Sequence, residues 1–163
     1  MEYVRLIVKA IVLILVQVLI VNNLHFFNLF HPEIYVLFLL CLPLQTPRWA
    51  ELLVGAGIGL VMDVFYSSIG LHLSACVLFS YLRPILFHRA IQEPERIIGE
   101  VTAAKVGMET YLQIAAILIV LHQTMVSLLD AFSWAGIGWT LLTIILSSAA
   151  TIAVTFVYEF FRR

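Results

Sequence analysis

Long apolar runs, broken by only a few polar positions, organise the chain. Six segments read as membrane spans, at about 4–21, 33–44, 49–66, 71–87, 110–129 and 137–161. A spanning helix needs about 20 residues, with a range of roughly 17–25. The second segment is shorter than that. It begins after Pro32, a residue suited to a helix's first turn, and Pro43 and Pro47 close it. Arg83-Pro84 interrupts the fourth segment near its end.

Between the fourth and fifth spans, residues 88–109 are polar. Glu93, Glu95, Glu100 and Glu109 mix there with Arg96 and Lys105, and Pro94 and Gly99 break any long helix. A solvated connector is the plain reading, and a docking surface for a cytoplasmic partner is the functional one. The chain carries no internal repeat and no low-complexity segment.

Composition places these runs in a membrane. The 163 residues are 63% hydrophobic and 12% charged, with a mean hydropathy of +1.05. Soluble domains run about 45–50% apolar and about 25% charged. So little polar surface cannot cover a soluble globule, and the expected class is a single all-α, polytopic transmembrane domain over 1–163. No basic tail or patch points to nucleic acid. Cys41 and Cys76 lie within apolar runs and read as small buried hydrophobes. The first segment starts with Arg5 and Lys9 as a signal peptide would, but no small-x-small cleavage site follows, so it reads as an uncleaved helix.

Charge placement predicts the orientation. With the N-terminus in the cytoplasm, Arg5, Lys9, Arg48, Arg83, Arg89, Arg96, Lys105, Arg162 and Arg163 all fall inside. The connections at 22–32, 67–70 and 130–136 hold no Lys or Arg. All nine basic residues then obey the positive-inside rule, with six spans and both termini cytoplasmic. Trp134 and Trp139 suit the outer interface and Trp49 the inner one.

The stretch 49–74, WAELLVGAGIGLVMDVFYSSIGLHLS, holds the most specific chemistry. Asp63 lies roughly 21 Å along the third helix at 1.5 Å per residue. A carboxylate at membrane depth costs at least about 2.5–3.5 kcal/mol, so it must face protein or water. Gly55 and Gly59 form a small-xxx-small pair with Asp63 one step further on the same face, which marks that face as the packed one. Gly70 sits in the tight return that follows. Asp63 reads either as a structural anchor and cap of that return or as a ligand, proton or partner site.

Gln17 lies about 18 Å from Arg5 along its helix, and His122 and Gln123 about 17–18 Å from Tyr111. His72 opens the fourth helix from the outside. Gln17, Asp63, His72 and His122 are therefore expected to form an outer-half polar cluster containing an Asp–His pair, the alternative being that each is satisfied separately. Arg48 and Arg83 read as inner-face anchors, with Arg83 snorkelling and Pro84 kinking its helix. Catalysis is not expected. There is no HExxH, no GxSxG and no paired aspartates, and Ser74 and His72 point to different faces. Neither a metal nor a cofactor is expected.

These residues resemble the bacterial rod shape-determining MreD family. The resemblance rests on Asn22-Asn23 after the basic first helix, TPRW at 46–49, GAGIGLVMDVFYSSIGLH at 55–72, YLRP at 81–84 and LLDAFSW at 128–134. It implies a non-catalytic, multi-pass subunit of the cell inner membrane that binds the bitopic protein MreC. Through MreC it would reach the filament protein MreB, the glycosyltransferase RodA and a penicillin-binding transpeptidase. The family's fold also looks similar to the substrate-binding subunits of energy-coupling-factor transporters. A scaffold and a small-molecule-binding subunit therefore both stay open.

Overall fold

The computed structural model describes residues 2–21, 31–131 and 137–162. Among them the chain forms seven α-helices and no strand: α1 (Glu2–Leu19), α2 (Val36–Cys41), α3 (Arg48–Tyr66), α4 (Leu71–Ala90), α5 (Ala103–Val106), α6 (Met108–Ala131) and α7 (Ile137–Phe161). The protein is all-helical, and α3, α4, α6 and α7 are each long and apolar enough to cross a membrane. Helix α1, of 18 residues, carries Glu2, Arg5 and Lys9 in its first half. The expected connection at 22–32 lies largely outside the described residues, as do 132–136 with Trp134.

The long helices alternate in direction. Lys9, Glu51, Arg83, Tyr111 and Glu159 gather at one end of the bundle, and Gln17, Asp63, His72, His122 and Ser147 at the other. Tyr111 packs on Phe87 with ring centroids 6.2 Å apart, which sets α6 antiparallel to α4. Helices α3 and α4 pack together most extensively. The glycines explain why. A Cβ at Gly59 would fall 2.6 Å from the His72 carbonyl oxygen, and one at Gly55 would fall 2.9 Å from that of Cys76 and overlap Ser80. Gly57, between them, faces open space.

The second predicted span is not a helix of spanning length. Helix α2 has only six residues, about 9 Å of rise, and every one of them is buried. Residues 35–42 are at most 6% exposed, so this strip runs through the middle of the bundle and not along its lipid face. Irregular backbone is tolerated at membrane depth only where protein satisfies its polar groups. Here side chains of the surrounding helices do so. The N–H groups of His31 and Glu33 donate to Ser147 Oγ (2.9 Å) and Thr151 Oγ1 (3.1 Å) on α7. Gln17 on α1 accepts from Ile34 N–H (2.7 Å) and donates to Pro32 O (3.1 Å).

At the other end Arg83 does the same work. Its Nε and Nη2 donate to Leu40 O at 3.2 and 2.9 Å, Nη2 also to Leu42 O, and Nη1 pairs with Glu51 at 2.6 Å. Arg83 is completely buried. The expected snorkelling anchor is thus corrected: the open carbonyls of the central strip and the Glu51 carboxylate draw the guanidinium inward. Pro84 lies within α4, which continues to Ala90. Arg48 is exposed at the start of α3.

The connector 88–109 is folded onto the bundle. Val101 and Ala103 are fully buried and Ile97 nearly so. Val101 N–H donates to Cys41 O at 3.2 Å and Ala103 N–H to Glu159 at 2.8 Å. Glu100 pairs with both Lys9 of α1 and Arg162 beyond α7.

Candidate functional site

The polar residues of the His72 end form one connected network. It starts at the return between α3 and α4. Ser67 (φ 53°) ends α3 in the left-handed region and Gly70 (φ 79°) precedes α4 in the same region, where glycine carries no side-chain penalty. That reversal brings the first turn of α4 against Asp63. Its Oδ1 accepts from His72 N–H (2.9 Å) and Ser68 Oγ (2.6 Å), and its Oδ2 accepts from Leu73 N–H (3.1 Å). Oδ1 also lies 3.1 Å from His72 Nδ1. The carboxylate therefore satisfies donors that an unlinked helix start leaves orphaned, and lies near the positive end of the helix dipole. It is 7% exposed and sealed in the contact between the two helices.

His72 passes the network on to Glu33. Its Nε2 lies 3.6 Å from Glu33 Oε1, so a carboxylate faces each ring nitrogen. Only the Asp63 contact, at 3.1 Å, is within direct hydrogen-bond reach. Tyr66 stacks on the imidazole with centroids 4.5 Å apart, and its hydroxyl accepts from Gln17 Nε2 at 3.1 Å. Glu33 Oε2 lies 2.7 Å from His122 Nδ1 and accepts from the Tyr35 hydroxyl at 3.3 Å. His122 Nε2 in turn meets the Tyr35 hydroxyl at 3.2 Å and Cys76 Sγ at 3.6 Å. Glu33, His72 and His122 are all less than 5% exposed.

The structure thus brings Gln17, Asp63, His72 and His122 into one cluster. Asp63 pairs with His72, and His122 with Glu33. Gly55 and Gly59 lie in the α3–α4 contact, whereas nothing approaches the Cβ position of Gly70, whose role is its backbone conformation. Sequence reasoning missed Glu33, which is the hub. Its signal was present: a carboxylate just after Pro32, at the same end of the bundle as His72 and His122.

Above the network opens a cavity of about 350 Å³. Glu33 and His72 form its floor, Gln123 and Ser127 of α6 one wall, and Trp139 and Thr143 of α7 another, and Asp130 and His31 also line it. Asp63 does not line it. The volume is at the small end of ligand sites, which run about 300–1,000 Å³. A buried carboxylate beside imidazoles can accept hydrogen bonds or hold charge there. Compared with protein-family models, curated proteins and solved structures, the chain matches none of them.

Proposed function

We propose that this is a six-pass protein of the bacterial inner membrane with both termini in the cytoplasm, a member of the MreD family. It acts without catalysis as a membrane subunit of the rod-shape elongation machinery. Its partners are MreC and, through MreC, MreB, RodA and a penicillin-binding transpeptidase. The observation that carries this reading is the use made of the motif on which the resemblance rests. Gly55 and Gly59 bring α3 and α4 together, Gly70 turns the chain, and Asp63 locks the start of α4. A rigid helix pair is what a scaffold needs to hold neighbours in a fixed relation.

The test is co-purification with MreC and cell shape in a rod-shaped host that depends on this chain. Gly59→Leu is expected to lose MreC and rod form, and Gly57→Ala to keep both. A transport defect with normal shape would overturn the scaffold. The orientation has its own test: a cysteine placed at Ile98, which is exposed, should be blind to a thiol reagent added from the periplasm.

The cavity supports a second reading. With Glu33 and His72 at its base, the protein would be a small-molecule-binding membrane subunit resembling the substrate-binding component of energy-coupling-factor transporters.

A further inference from the structure

The lining of the cavity carries a definite sign of charge. Among the described residues that line it, Glu33 and Asp130 are acidic, His31 and His72 are imidazoles, and none is Lys or Arg. An anion entering would meet two carboxylates. The floor also has unused hydrogen-bonding capacity. Glu33 Oε2 is taken by His122 and Tyr35, whereas Oε1 faces His72 Nε2 at 3.6 Å, beyond a direct hydrogen bond. The second feature is independent of the first. Gln123 is 3% exposed and lines the cavity, and among the described residues no hydrogen bond holds its side chain. Its amide opens on the cavity, where water or an entering ligand can meet it.

We propose that the cavity binds a small molecule bearing a primary ammonium group. This rests on the small-molecule reading above. The ammonium donates to Glu33 Oε1 and to the side-chain oxygen of Gln123, with the apolar part of the ligand against Trp139. A charged donor suits this floor better than a hydroxyl, because a hydrogen bond from a cation to a carboxylate is roughly twice as strong as a neutral one. Asp130 at the rim adds attraction of the same sign.

The test uses the full chain in nanodiscs and three probes of nearly equal size: phenethylamine, 2-phenylethanol and phenylacetate. Binding is read by calorimetry. The amine is expected to bind at least tenfold more tightly than the alcohol, and the acid not at all. Gln123→Leu should weaken the amine several-fold, and it removes no hydrogen bond the fold uses. Asp130→Asn, at an exposed position, should weaken it by less. Glu33→Gln should bring amine and alcohol to the same affinity. If the alcohol or the acid binds as tightly as the amine, the ammonium assignment fails while a ligand site remains. If none of the three binds, the assignment and the small-molecule reading fail together. Amine uptake that Gln123→Leu leaves unchanged is partition into lipid and overturns the proposal.

Discussion

Asp63 Oδ2 accepts the main-chain N–H of Leu73 at 3.1 Å, ten residues further along the chain. With the His72 N–H on Oδ1, the last turn of α3 caps the first turn of α4. Helix caps are worth about 0.5–2 kcal/mol, and each buried donor left without a partner costs about 1–3 kcal/mol. Asp63→Ala removes both acceptors and is expected to destabilise the fold by about 2–4 kcal/mol. Asp63→Asn keeps one oxygen and should lose about half as much. Unfolding of the two variants in mixed micelles, followed by circular dichroism, measures the difference. Equal stability of Asp63→Ala and the parent chain would mean that the cap carries no weight.

Gly59 and Gly57 are two residues apart and should behave oppositely. A Cβ at position 59 meets main-chain atoms of His72 and Leu73, which cannot swing aside. Gly59→Ala is therefore expected to force α3 and α4 apart at a cost of about 1–3 kcal/mol. At position 57 the Cβ meets nothing, and alanine is the better helix former by about 1 kcal/mol, so Gly57→Ala should be neutral or stabilising. Gly55→Ala should fall between, because one of its neighbours is the movable Ser80 hydroxyl. The same unfolding measurement ranks all three.

The helices were legible because lipid selects for apolar length. The runs that predict spans at 49–66 and 137–161 end within one residue of α3 and α7. The face shared by Gly55, Gly59 and Asp63 was legible for a related reason: lipid excludes a carboxylate, and glycines mark where another helix can come close. Helix α2 was not legible as a buried strip. Its hydrophobicity is the same whether Val36 to Leu42 face lipid or the surrounding helices. Glu33 was hidden because its environment comes from far away in sequence, with Thr151 lying 118 residues on. Arg83 misled for the converse reason. Its place near the inner end of a helix suggests an interfacial side chain, and only the central strip, 41–43 residues earlier, gives it carbonyls to turn towards.

The Arg83–Glu51 pair is completely enclosed, which makes each partner dependent on the other. Removing one member of a buried pair typically costs 3–5 kcal/mol, because the other charge stays buried without compensation. Arg83→Ala is expected to cost about that much and also to open the Leu40 and Leu42 carbonyls. Arg83→Lys should rescue little. One ammonium cannot reach three acceptors that a planar guanidinium spans. Glu51→Gln keeps an acceptor for Nη1 and should be the mildest of the three. If Arg83→Lys matches the parent chain in stability, the multiple contacts of the guanidinium are not what holds the central strip.

Glu100 predicts a pH dependence at the opposite end from the cavity. Burial pushes its carboxyl group up, but the Lys9 ammonium and the Arg162 guanidinium together hold it below its ordinary value of 4.5. The folded chain therefore binds this proton less readily than the unfolded chain does. Stability from the group is fully present above about pH 4.5 and is lost as pH falls through the lower, folded value. The carboxylate is 22% exposed, so the contribution is about 0.5–1 kcal/mol and shrinks as salt rises. Because Glu100 ties the connector to both the first and the last long helix, its loss should free residues 88–109 for attack. Protease digestion of Glu100→Gln near neutral pH is expected to cut the connector several times faster than in the parent chain. At pH well below 4.5 the two should be cut at the same rate. A gap that persists undiminished in acid would mean that the variant acts through shape and not through the lost charge.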